Sequence, residues 1–333
     1  MEDPITSNSG IQSRHSLISP LVGKVTLIAV FALAASLTWG YLASASSQAA
    51  STVAAASVSM AKPSQIDTSA YESVSLSAKS AIVVDETTGQ VLFALHPDVQ
   101  WPLASLTKVA LVLSVGEALP GDTVVTIPFG SGYNSHAGGS LKTGERWKLQ
   151  DVIDFTLAVS SNQGADMLAE IANAPIHNAY PLSPPVGATL WRMNNLAQSL
   201  HLTHTYFLND NGLDMSTTQS GAYGSASDIA SLLAYAVQVM PDRFSATTKT
   251  SFTVTSIDGT RVNALNTDEA LPVLPNVILG KTGYTDLAGG NLAICFRDNG
   301  HTICAVVLGS TFDGRFADMK QLAIATQRAL ALR

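Results

Sequence analysis

Trp101-Pro102-Leu103-Ala104-Ser105-Leu106-Thr107-Lys108 runs directly into Val109-Ala110-Leu111-Val112-Leu113, an apolar stretch that reads as a buried helix. Pro102 suits the first position of such a helix, where its missing N–H would have no partner anyway. Ser105 and Lys108 are three apart and would share one helix face. An amine would then lie near a hydroxyl, and a serine needs a neighbouring base to act as a nucleophile. The spacing alone decides nothing. Ser59-Met60-Ala61-Lys62 repeats it, but that copy sits in an Ala/Ser-rich stretch ended by Pro63, with no helix behind it, and is discarded.

Outward from this segment, strands flank a helical middle. Ala81–Asp85 and Gln90–Leu95 read as two strands joined at Thr88-Gly89. Helices are expected over Leu149–Ala158, Ala165–Ala172, Trp191–Leu200 and Ala226–Val239. Strands return at Ser251–Thr255, Val277–Leu279, Asn291–Phe296 and Thr302–Leu308, and a helix over Ala317–Leu332 closes the chain. The two ends therefore form one antiparallel sheet, with a helical subdomain inserted between them. The cleft between the two is where a site belongs.

Of 333 residues, 46% are hydrophobic and only 13% charged, which excludes a disordered chain. The net charge of −7 argues against nucleic acid as a partner. The seven histidines form no metal-ligand pattern, and no glycine-rich nucleotide loop is present, so neither metal nor cofactor is expected. Before the folded part lie three stretches. Residues 1–24 are polar and carry Arg14 and Lys24. Residues 25–42 lack charge and approach the ~20 residues that cross a bilayer, so they read as a transmembrane anchor or a signal's apolar region, with Ala43-Ser44-Ala45 as a cleavage pattern. Residues 43–77 are an Ala/Ser-rich linker. The positive charges precede the apolar run, so residues 1–24 would stay in the cytoplasm and residues 78–333, the folded domain, would be exported.

Two further motifs follow in order. Ser160-Ser161-Asn162 follows a helix, and a turn there would aim a hydroxyl and a carboxamide the same way, to relay a proton and hold a peptide carbonyl. Lys281-Thr282-Gly283 follows the apolar Val277–Leu279; charge and hydroxyl make a carboxylate clamp, and the glycine lets a ligand approach a strand edge. Lys142-Thr143-Gly144 is a second copy, but it precedes Ser160 and leads into Glu145-Arg146-Trp147, so it reads as a structural turn.

Ser105-x-x-Lys108, Ser160-x-Asn162 and Lys281-Thr282-Gly283, in this order, resemble the penicillin-recognising serine enzymes, and among them the serine-type D-alanyl-D-alanine carboxypeptidases, or low-molecular-mass penicillin-binding proteins. Gly139–Leu141, Asn211–Asp214, Ser225–Ala230, Gly280–Asp286 and Gly309–Arg315 also look like landmarks of that family, and the likeness covers about residues 75–330. It implies an α+β fold, a five-stranded antiparallel sheet flanked by helices with an inserted helical subdomain. It implies peptidoglycan stem peptides as partner, β-lactam antibiotics as covalent inhibitors, and a role in cell-wall biogenesis and cell shape at the extracytoplasmic face of the membrane or in the wall. Ser105 would attack the bond between two D-alanines with Lys108 as base, Ser160 would relay a proton, and Asn162 would hold a peptide oxygen. Lys281 would depress the pKa of Lys108, the N–H groups of Ser105 and Tyr284 would form the oxyanion site, Thr282 and Arg315 would bind the terminal carboxylate, and Gly283 would admit the substrate as an added strand.

Three alternatives stand beside this. A class A β-lactamase needs a deacylating glutamate beyond the second motif; Glu170 and Glu269 are the only glutamates there, and neither has the Glu-x-x-Leu-Asn context. An endopeptidase cutting crosslinks and a catalytically weak wall-binding module remain. Separately, Asn299-Gly300 is a hairpin-turn signal. That register sets Cys295 opposite Cys304, at a spacing that suits either a disulfide or two packed thiols.

Overall fold

The computed structural model describes residues 68–127 and 141–331. The apolar run 25–42, the copy at Ser59–Lys62 and Gly139-Ser140 lie outside the described residues. The strands are β1 (Ser80–Asp85), β2 (Gln90–Leu95), β3 (Trp101–Pro102), β4 (Val124–Thr126), β5 (Arg146–Lys148), β6 (Tyr206–Phe207), β7 (Ala222–Gly224), β8 (Ser251–Thr255), β9 (Arg261–Leu265), β10 (Val277–Thr285), β11 (Gly289–Asp298) and β12 (His301–Ser310). The helices are α1 (Thr107–Ala118), α2 (Leu149–Ala158), α3 (Asn162–Ala179), α4 (Ala188–Ser199), α5 (Ala226–Val239) and α6 (Gly314–Ala331).

The main sheet has the order β10-β11-β12-β1-β2, antiparallel throughout. Its inner strands read as continuous apolar runs because both faces are covered. Along β12, Ile303, Ala305 and Val307 join Ala81, Val83, Leu292, Ile294 and Phe296 against Met319 and Leu322 of α6. The alternate residues Cys304, Val306 and Leu308 join Ile82, Ala293 and Cys295 on the face toward α5 and α1. The α+β architecture is as the sequence predicts.

The β11–β12 turn places Asn299 and Gly300 at φ 45° and 82°, the left-handed pair that a two-residue hairpin turn requires. The register follows: Asp298 faces His301 and Cys295 faces Cys304. Those cysteines are bonded as a disulfide, with Cα atoms 4.2 Å apart.

Three features depart from the sequence-based expectation. The inserted region also carries the short ladders β4–β5 and β3–β7–β6, whose strands of two or three residues are too short to show a periodicity, and the expected strand Ser251–Thr255 forms β8 but pairs with β9 apart from the main sheet. Pro102 does not begin a helix. It ends β3, pairing with Tyr223 of β7, and a 3₁₀ turn over Ala104–Leu106 precedes α1. Thr68–Tyr71, within the expected linker, forms a turn whose Tyr71 is buried and bonds Thr326 of α6 at 2.7 Å.

Candidate active site

α1 is buried on every side from Thr107 to Val115, as befits a helix apolar all round. Its second residue, Lys108, has no exposed surface. The preceding turn is held from both sides. Asn291 of β11 donates its Nδ2 to the carbonyls of Pro102 (2.9 Å) and Leu103 (3.1 Å), while its Oδ1 accepts from the N–H of Gly309 (2.8 Å). Ala104 sits at φ 49°, in the left-handed region. A β-carbon on Gly212 would lie 2.0 Å from the Ala104 oxygen, and one on Gly283 would lie 2.8 Å from the Leu103 oxygen and 3.3 Å from the Ser105 nitrogen. Two bare backbones thus press on the turn that carries Ser105. Strain concentrated beside a candidate nucleophile fits the pattern of functional sites.

Lys108 Nζ makes three bonds: to Ser105 Oγ (2.8 Å), Asn162 Oδ1 (2.8 Å) and the Asn211 carbonyl (2.7 Å). The last two partners are acceptors only. In a neutral amine they consume both N–H bonds, so the lone pair faces the Ser105 hydroxyl. Burial lowers the Lys108 pKa to about 7, with Asp166 opposing the shift. Above about pH 7 the amine is free to accept the Ser105 proton. Acylation of Ser105 is therefore expected to rise as pH passes through about 7 and to level off above it, measured as labelling rate against pH.

Ser160 follows α2 with φ 56°, and Ser161 caps α3 by accepting from the Gly164 N–H at 3.0 Å. That cap explains the geometry of the motif: Asn162 is the first helical residue and Ser160 is turned off the helix. Ser160 Oγ accepts from Lys281 Nζ at 2.8 Å, and Lys281 also donates to the Thr282 carbonyl at 2.9 Å. The sequence suggests a strand that stops before Lys281, but β10 continues through Thr285. Leu279, Lys281 and Gly283 therefore lie on one face, the one that Leu279 buries against the helices. Burial pushes the pKa of Lys281 well below its usual value, and the neighbouring charges of Lys108 and Arg315 push it further.

A cleft of about 740 Å³ joins Ser105, Ser160, Asn162, Thr282, Gly283 and Arg315. Arg315, only 4% exposed, is no surface residue: Nη1 donates to the Gly283 carbonyl at 3.1 Å and the guanidinium lies over Phe312 and Phe316. Tyr284 is half-exposed at the rim, edge-on to Phe312. The expected relay from Lys108 to Ser160 has a different ground-state form: the residues make two hydrogen-bonded pairs, Ser105–Lys108 and Ser160–Lys281. Asn162 likewise spends its oxygen on Lys108, leaving the amide N–H₂ end for a carbonyl. Lys142-Thr143-Gly144 is a turn, with Gly144 at φ 81° and its N–H on Ile127, as the sequence suggests. Among the described residues no cluster could hold a metal ion.

Sequence reasoning missed Asn291, Asn211 as a partner of Lys108, and Thr267, whose Oγ1 lies 2.6 Å from Thr282 Oγ1. Asn291 carried a legible signal, a carboxamide inside an apolar strand, which must find partners when buried. The backbone carbonyl of Asn211 carried none.

The family model for D-alanyl-D-alanine carboxypeptidases (Peptidase_S11) matches residues 66–311. D-alanyl-D-alanine carboxypeptidase DacA of Escherichia coli (strain K12) is 31% identical over 259 residues, 74% of this chain and 60% of that protein. The chain thus spans about 60% of the length of the curated relatives it matches. A solved D-alanyl-D-alanine carboxypeptidase from Mycobacterium tuberculosis H37Rv is similar with a TM-score of 0.65 and 25% identity, covering 80% of this chain and 94% of that one. Penicillin-binding protein D2 of Listeria monocytogenes, solved in an ampicillin-bound form, shares the fold with a TM-score of 0.61 and 24% identity, covering 75% of this chain and 97% of that one. With the match running from before β1 to the end of β12, and the three motifs meeting in one cleft, the chain belongs to the D-alanyl-D-alanine carboxypeptidase family.

Proposed function

We propose that this protein is a serine D-alanyl-D-alanine carboxypeptidase that removes the terminal D-alanine from peptidoglycan stem peptides. The observation that carries the reading is the set of bonds at Lys108, which leaves its one basic position facing Ser105. Ser105 Oγ attacks the carbonyl between the two D-alanines as its proton passes to Lys108. The tetrahedral oxyanion forms against the backbone N–H groups of Ser105 and Tyr284. Such a donor is typically worth about 3–4 kcal/mol. Ser160, paired with Lys281, protonates the departing D-alanine amine, and water then attacks the acyl-enzyme with the roles reversed. Thr282 and Arg315 take the terminal carboxylate, Asn162 the peptide oxygen, and Gly283 leaves room for the substrate to lie along β10.

β-Lactams would acylate Ser105 by the same chemistry, in keeping with the ampicillin held by the related Listeria protein. We place the domain outside the cytoplasm, brought there by residues 25–42; the disulfide between Cys295 and Cys304 suits an oxidising compartment. The test is labelling with fluorescent penicillin followed by peptide mapping. Label on Ser105 is expected, and label elsewhere or none would sink the assignment. Release of D-alanine from a pentapeptide, set against cleavage of crosslinked dimers, separates carboxypeptidase from endopeptidase; labelling without turnover of either would mark a wall-binding module.

A further inference from the structure

Both acceptors that orient the Lys108 amine trace back to one helix. Asn162, the first residue of α3, accepts from Lys108 Nζ directly at 2.8 Å. Asp166 stands four residues further on, so the two share one face of α3. The other acceptor is the Asn211 carbonyl, 2.7 Å from Nζ. It belongs to residues 209–214, a loop between β6 and β7 with neither helix nor ladder to fix it. Side-chain bonds hold it instead. The N–H of Gly212, on the same peptide group as that carbonyl, donates to Asn209 Oδ1 at 2.7 Å. Asn211 Oδ1 accepts from the Leu213 N–H at 2.8 Å, and Asn211 Nδ2 donates to Asp166 Oδ1 at 2.6 Å. The first two of these bonds lie within the loop, and the third ties it to α3.

We propose that Asp166 is a positioning residue for Lys108: by fastening the Asn211 side chain to α3, it keeps the Asn211 carbonyl aimed at the amine that takes the Ser105 proton. This rests on the function proposed above. A neutral amine has two N–H bonds and one lone pair. With Asn162 and Asn211 both accepting, the lone pair points at Ser105 Oγ, 2.8 Å away. Were the carbonyl to swing off, one N–H would be released and the amine could turn about its Cε–Nζ bond, carrying the lone pair away from the hydroxyl. A reaction that depends on alignment loses rate steeply when its groups are misplaced. A carboxylate suits the task, because a hydrogen bond to an ionised acceptor is shorter and stronger than one between neutral groups. Asp166 is itself exposed and lies outside the cleft lining, so it does not touch a bound ligand. Its bearing on the chemistry runs through Asn211, apart from its charge, which raises the Lys108 pKa against the effect of burial.

The experiment follows acylation of Ser105 by fluorescent penicillin over a range of concentrations at about pH 8.5, above the Lys108 transition, where a change in that pKa no longer alters the rate. Asp166→Ala is expected to lower the saturating rate about 10-fold and to leave the half-saturating concentration in place. Asp166→Asn, whose side-chain oxygen can accept the same bond, should stay within about threefold of the unaltered protein. Asn211→Ala keeps the carbonyl and loses the tie. It should match Asp166→Ala, and the double variant should fall no further than either. The proposal is overturned by an Asp166→Ala rate equal to that of the unaltered protein, by an Asp166→Asn loss as deep as the alanine's, by losses that multiply in the double variant, or by a shift in the half-saturating concentration in place of the rate. Failure of the unaltered protein to label at Ser105 would instead overturn the functional reading itself.

Discussion

Ser105→Ala is expected to lose labelling by fluorescent penicillin altogether, and to lower D-alanine release by a factor on the order of 10⁴ or more. The hydroxyl is the only group at that point able to form the acyl bond, and Lys108 Nζ lies 2.8 Å from it. Lys108→Arg is the sharper partner experiment. It keeps the positive charge, but a guanidinium has no lone pair to give. If Lys108 served only as a charge, the arginine variant would retain much of its rate. As the base, it is expected to fall by about 10²–10⁴. Single-turnover acylation by quenched flow measures both, and a Lys108→Arg rate within a few-fold of the unaltered protein would exclude Lys108 as the proton acceptor.

Gly212→Ala is expected to reduce acylation by about 100-fold or more without touching any group that reacts. Gly212 has φ 85°, where an alanine costs about 1–2 kcal/mol. Its added carbon would also fall 2.0 Å from the Ala104 carbonyl oxygen and 2.6 Å from Thr107 Oγ1. The first is backbone of the turn that carries Ser105, and the second is a buried hydroxyl tied to that same oxygen at 2.7 Å, so neither can swing away freely. The turn must shift by an ångström or so, and misplacement of that size costs about 10²-fold in a reaction that depends on alignment. The neighbouring Asn211 carbonyl, bonded to Lys108 at 2.7 Å, would move with it. Labelling rate and thermal unfolding measured together check the claim. A variant that melts a few degrees lower but labels at the unaltered rate would show that the Gly212 contact supports stability only.

The same contacts show why parts of the site were hidden in the chain. Ser105, Lys108, Ser160, Asn162 and Lys281 could be picked out because each sits in a short motif whose neighbours constrain it. Arg315 depended on a family resemblance, since an arginine at the start of a helix is usually solvated; its burial comes from Phe312 and Phe316 folding over it. Asn291 acts from the far side of the turn that carries Ser105. Its role depends on which backbone atoms come to lie opposite it, and side-chain type alone does not carry that information.

Local physics determined a good deal. The Asn299-Gly300 turn fixes the β11–β12 register, because only residues tolerant of left-handed backbone make that turn, and side-chain alternation then brings Cys295 to Cys304. The apolar runs of β1, β11 and β12 and the uninterrupted hydrophobic surface of α1 follow from composition alone. What only the tertiary structure decided is the state of the Trp101–Lys108 stretch. As a sequence it is a helix beginning at Pro102. In the folded protein Asn291 takes two of its carbonyls, Gly212 and Gly283 press on it, and Ala104 adopts a left-handed conformation, so the helix begins at Thr107 instead. Helix propensity is worth at most about 1 kcal/mol per ordinary residue. Two hydrogen bonds and the close packing of two glycine backbones outweigh it, and they leave Ser105 on a turn open to the cleft with a buried lysine hydrogen-bonded to its hydroxyl.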